Sequence, residues 1–117
     1  MYSIYHNPRC SKSRETLKLL EAANVEINII EYLKQPPTLD QLSAIVAMLG
    51  LSDARAMMRT KEDAYKALQL NNTELSQQEL LQAIHDNPKL LERPIVVNND
   101  RAVIGRPPEN VNKLLNN

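Results

Sequence analysis

The chain has 117 residues, 43% of them apolar, which suits one compact domain with a core and leaves too little for two. Fourteen Lys and Arg balance fourteen Asp and Glu, so no global charge draws the protein toward nucleic acid or anionic lipid. One cysteine cannot form an intrachain disulfide, and with two histidines it falls short of a closed Cys/His zinc site, so no metal is expected.

No charged leader followed by an apolar stretch opens the chain, and no run reaches the length of a membrane span, which predicts a cytoplasmic protein away from membranes. Residues 2–6 are β-prone and stop at Asn7-Pro8, because proline brings no amide donor. From Ser11 to Ala23, Thr16, Leu17, Leu20 and Ala23 recur at helical spacing, with Asn24 as the stop. A second β-branched run, residues 27–32, completes a βαβ unit, whose right-handed crossover makes the two strands parallel.

Pro36-Pro37 breaks the chain, and Thr38 with Gln41 forms a capping box before a helix whose stripe is Leu42, Ile45, Val46 and Leu49. Further helix starts are read at Ser52, at Thr60, and at Ser76 with Glu79, so residues 38–87 are expected to form an all-helical insertion. Arg93 to Val97, a turn at Asn98–Arg101, and Ala102 to Ile104 then read as an antiparallel hairpin. Pro107 and Pro108 open a last short helix. The expected architecture is one α/β domain over residues 1–117, with a mixed four-stranded sheet flanked by helices and the insertion between strands two and three.

Cys10 carries the chemistry. Arg9, Lys12 and Arg14 surround it, residues 1–14 contain no acid, and a helix N-terminus is predicted at the same point. Both influences favour thiolate, lowering a cysteine pKa from about 8.5 into the range of roughly 3.5 to 7.5. A buried structural thiol would instead have apolar neighbours on a strand or helix face. Cys10-Ser11-Lys12-Ser13 occupies the place of a thioredoxin-type C-x-x-C with serine for the second thiol. Without a resolving thiol, oxidised Cys10 needs an external thiol to reduce it. Gly50 and Gly105 are the only glycines, so glycine-rich phosphate loops are excluded. His85, near a helix end, is read as a surface residue without a role.

These features, with Ile4-Tyr5-His6-Asn7-Pro8 leading into Cys10, Ser13-Arg14, Tyr32-Leu33 before Pro36-Pro37-Thr38, Arg59, Arg93-Pro94-Ile95-Val96-Val97 and Gly105-Arg106-Pro107, span nearly the whole chain. Together they resemble the thioredoxin-fold (glutaredoxin-like) arsenate reductases that couple to glutathione and glutaredoxin. The resemblance implies that Cys10 attacks arsenate or a similar oxyanion and that Arg59, Arg93 and Arg106 hold it. It further implies that His6 and Ser13 tune the thiolate and that Asn7 and Arg14 shape the anion loop. A monomer with no bound cofactor would then use glutathione as co-substrate and glutaredoxin as partner. Two other readings stay open: a thiol-transfer enzyme, and a redox regulator binding RNA polymerase, against which Ser13 argues because it removes the C-x-x-C switch. Convergent arginines suit an oxyanion, since planar, permanently charged guanidinium forks offer paired donors that lysine lacks.

Overall fold

The structure, a computed structural model, describes residues 1–115. These fall into two compact units: Met1–Gln35 together with the segment from Arg93 onward, and Pro36–Glu92. No helix among the described residues is long and apolar enough to cross a membrane.

The first unit holds the sheet. Strands β1 (Tyr2–His6) and β2 (Ile27–Glu31) pair in parallel, Tyr2 opposite Ile27 and His6 opposite Glu31, as a crossover through helix α1 (Ser11–Ala22) requires. Strand β3 (Ile95–Asn98) runs antiparallel to β1, and β4 (Arg101–Ile104) antiparallel to β3. The order β2-β1-β3-β4 is the mixed, four-stranded, thioredoxin-like sheet expected from the sequence. Asn98 and Arg101, expected in the turn, belong to the strands and pair with each other. The turn tightens to Asn99-Asp100 because Asn99 adopts φ 57°, a left-handed conformation that asparagine tolerates and that fits the twist of a hairpin. Asn24 stops α1 by the same means, also at φ 57°.

One face of the sheet is sealed by α1 and the C-terminal segment. Ile4 and Val96 from the strands, Leu20 from α1, and Val111 and Leu114 from the end of the chain form a buried cluster. Burial of each such side chain contributes about 1.5–3 kcal/mol relative to exposure. The terminal helix expected at Pro107-Pro108 begins as a 3₁₀ turn, Pro108–Val111.

The second unit is mainly helical. Both predicted capping boxes form: Thr38 with Gln41 opens α2 (Leu39–Leu49), and Ser76 with Glu79 opens a helix over Gln77–Asp86. Leu42, Ile45 and Val46 are buried as expected, while Leu49 is only half-buried at the helix end. Between these helices the structure departs from the sequence-based expectation. Asp53 rather than Ser52 provides the cap, accepting the Arg55 amide, and the turn it opens is 3₁₀, Ala54–Met57. Thr60 starts no helix; α3 (Asp63–Ala67) begins later, so that the Gln77–Asp86 helix is α4. The cause is tertiary pairing. Met58 bridges Leu91, flanked by bonds from the Arg59 amide to Leu90 O (2.7 Å) and from the Glu92 amide to Met57 O (2.8 Å). The insertion is therefore not all-helical, because this bridge holds Met58 extended, at φ −109° and ψ 149°.

Two further side chains prove structural, His85 among them against its reading as a surface residue. Arg55 donates from Nε to Leu70 O (2.6 Å) and from Nη2 to Asn72 O (2.7 Å) while pairing with Asp53, so it staples the loop after α3. His85 is half-buried, its Nδ1 2.8 Å from Pro37 O, and it ties α4 to the segment entering α2. A carbonyl acceptor fixes a proton on that nitrogen.

Candidate active site

Asn7-Pro8-Arg9-Cys10 is a closed turn. The Cys10 amide donates to Asn7 O (3.0 Å), the Arg9 amide to Asn7 Oδ1 (3.0 Å), and Arg14 Nη1 to Pro8 O (3.0 Å). Cys10 is consequently held as the N-cap of α1 with extended backbone, φ −97° and ψ 124°. Its side chain faces the open amides of the first turn, which have no partners within the helix. Cys10 is buried, 9% exposed, more enclosed than expected, but the groups at its sulfur are charged and polar.

Burial alone would raise the Cys10 pKa and is the largest single influence. The Ser13 amide, the positive charge of Arg93, the Lys12 amide and a hydrogen bond from Arg93 together outweigh it and hold the thiol below its ordinary value. Arg106 adds Nη1 at 3.8 Å from Cys10 Sγ, and the same nitrogen donates to Arg93 O at 3.3 Å. Alkylation of Cys10 by iodoacetamide should accordingly show a midpoint below the roughly 8.5 of free cysteine. Arg93→Ala should move that midpoint upward, because it removes a stabiliser of the anion while the opposing burial stays. A wild-type midpoint at the free-thiol value would remove the activation.

The remaining predicted residues brace the turn. His6 Nδ1 lies 2.6 Å from Ser13 Oγ, which also accepts the Asn7 amide at 3.0 Å. Ser13 is fully buried and His6 nearly so. Burial first, then the charge of Arg14, lower the His6 pKa against opposing pulls from Glu31 and Glu21, which leaves the imidazole neutral at pH 7. Ser13 acts on the sulfur through its amide, while its hydroxyl is committed to His6 and Asn7. The structure thus gathers His6, Asn7, Cys10, Ser13, Arg14, Arg93 and Arg106 within the first unit. Arg59 lies in the second unit, with Nη1 paired to Glu62 at 3.1 Å.

Three residues given no role from the sequence fix where Arg106 stands. Thr16, fully buried, donates to Lys12 O (2.9 Å), and its hydroxyl lies 3.4 Å from Gly105 O. Asn110 Nδ2 donates to Ile104 O (3.0 Å) and Arg106 O (3.2 Å). A Cβ on Gly105 would meet Thr16 Oγ1 at 2.6 Å and Pro94 Cγ at 2.9 Å, so only glycine lets this loop lie against α1. Gly105→Ala should cost about 1–3 kcal/mol in urea unfolding, and an unchanged midpoint would show that the approach is loose. The Arg93–Pro94 and Arg106–Pro107 bonds, each beginning at a site arginine, are cis.

Among the described residues no three His, Cys, Asp or Glu side chains gather to hold a metal ion. The site offers a thiol whose anion is favoured by two guanidinium groups and helix-terminal amides, which suits attack on a tetrahedral oxyanion.

Comparison with known proteins agrees with this geometry. The ArsC family model matches residues 5–114. The chain is 56% identical over 108 residues to the uncharacterized protein YfgD of Escherichia coli K12, covering 92% of this chain and 91% of that one. It is 53% identical over 112 residues to an arsenate reductase of Haemophilus influenzae, covering 96% and 97%. Among solved structures it is similar to an arsenate reductase from Vibrio cholerae, with TM-score 0.93, 50% identity, and coverage of 96% and 95%.

Proposed function

This chain belongs to the ArsC family, and from that membership we propose that it reduces arsenate to arsenite through Cys10, with glutathione and glutaredoxin as external reductants. The observation that carries the reading is Cys10 at the N-terminus of α1 with Arg93 and Arg106 at its sulfur. Arg59 enters the reading on the family resemblance alone.

The Cys10 thiolate attacks arsenic(V), forming an S–As bond as hydroxide leaves, protonated to water. Arg93 and Arg106 neutralise the oxyanion so that one anion can approach another, and the Lys12 and Ser13 amides stabilise the same charge. Glutathione thiolate then bonds to Cys10 Sγ. The S–As bond breaks and its electron pair passes to arsenic, which leaves as arsenite. Two electrons reach arsenic, and the two sulfurs are oxidised to a Cys10–glutathione disulfide. Because Ser13 stands where a resolving thiol would be, a glutaredoxin thiolate attacks the glutathione sulfur and frees Cys10.

The test is reconstitution from purified components. Arsenite should appear only when the protein, arsenate, glutathione and glutaredoxin are all present. Reduction of a glutathionylated substrate without any arsenite production would place the protein with thiol-transfer enzymes instead.

A further inference from the structure

A cavity of about 250 Å³ opens beside the nucleophile turn, with residues 6–9 on one wall and Glu31, Leu33 and Lys34 on the other. It lies wholly within the first unit, and none of the groups that touch the sulfur lines it. Its walls are ordered. The Arg9 amide is tied to Asn7 Oδ1, and the Lys34 and Gln35 amides both donate to Glu31 O at 2.9 Å. Lys34 Nζ and Glu31 Oε1 stand 3.6 Å apart at the rim, both side chains well exposed. Leu33 is 41% exposed, an apolar side chain at the mouth with charge on either side.

We propose that this cavity is the docking subsite for the γ-glutamyl thiol tripeptide that reduces Cys10, an inference that rests on the function proposed above. Glutathione at neutral pH carries two carboxylates and one ammonium. The cavity offers the complement, two cations in Arg9 and Lys34 and one carboxylate in Glu31, with Leu33 for the aliphatic stems. Its volume falls just below the range of about 300–1,000 Å³ typical of ligand sites, so it holds one end of a small peptide while the thiol reaches beyond the wall. Residue 9 adjoins Cys10 in the chain, so a peptide anchored here delivers its sulfur to the nucleophile turn. Once there, the thiolate bonds to Cys10 Sγ as the S–As bond gives its pair to arsenic, with no further reagent. The exposed Lys34–Glu31 pair is weak and easily exchanged for ligand charges.

Two measurements separate this subsite from the function it serves. Titration of the labelled wild-type protein with S-methylglutathione, whose sulfur cannot react, should shift the amide resonances of Asn7, Arg9, Leu33 and Lys34. Lys34→Glu should weaken that binding by about three- to tenfold, less so at high salt. In the arsenate assay Lys34→Glu should raise the KM for glutathione by a similar factor and leave the KM for arsenate unaltered. With dithiothreitol, which carries no charge, as reductant, Lys34→Glu and wild type should run alike. Resonance shifts confined to other segments, or an equal loss with both reductants, would overturn the subsite. Shifts at the cavity in a protein that fails to reduce arsenate with either thiol would leave the subsite standing and refute the arsenate reading.

Discussion

Cys10→Ser is expected to abolish arsenate reduction, by on the order of a thousandfold or more, while the fold stays intact. The two side chains are nearly isosteric, but a hydroxyl is not ionised at neutral pH and cannot offer a soft anion to arsenic. The position sharpens the contrast, because Cys10 is the N-cap of α1 and the Lys12 and Ser13 amides that face its sulfur can bond a hydroxyl as well. Serine is among the preferred N-cap residues, where a cap contributes about 0.5–2 kcal/mol. The variant should therefore melt at or above the wild-type temperature with its activity gone. Turnover retained by the serine protein would remove Cys10 from the reaction.

Arg93→Lys and Arg106→Lys should each cost about 1.5–3 kcal/mol in transition-state stabilisation, roughly ten- to a hundredfold in kcat/KM for arsenate. Lysine keeps the charge but loses the planar fork, so the loss measures geometry. The two effects should be non-additive, since both guanidinium groups reach Cys10 and Arg106 also bonds the Arg93 carbonyl. Arg101→Lys is the control, exposed on β4 and bonded to Lys113 O. Arg55 is unsuitable because its loop staple would confound activity with stability. Arg59→Lys is expected to lose activity as well, on the family resemblance. Additive losses no larger than at Arg101 would leave only the thiolate and its helix terminus, and would favour thiol transfer.

The sheet is legible in the sequence wherever local chemistry decides structure. Asn7-Pro8 ends β1, and both capping boxes open helices where Thr38 and Ser76 stand. Local signals mislead where distant residues decide. Thr60 resembles a helix start, but the pairing of residues 57–59 with Leu90 and Glu92 overrides the local preference. The site divides in the same way. The helix terminus at Cys10 is local in the chain, so spacing points to an activated thiol. The charge that acts on its sulfur, however, is that of Arg93, while Arg14 turns to Pro8 O and Lys12 Nζ to Glu15. No spacing joins Cys10 to Arg93 and Arg106, more than eighty residues away; only the family resemblance pairs them. Thr16 counts in the sequence as one small residue of a helical stripe, and nothing local reveals that its hydroxyl meets Gly105 and steadies the Arg106 loop.

The most direct measurement of reduction through Cys10 is the intact mass of the protein after a single turnover with arsenate and glutathione, with glutaredoxin left out. One glutathione disulfide on Cys10 and one arsenite released per protein are expected, the adduct disappearing when glutaredoxin is added. Arsenite formed while Cys10 stays unmodified, or no arsenite with Cys10 fully alkylatable afterwards, would contradict the mechanism.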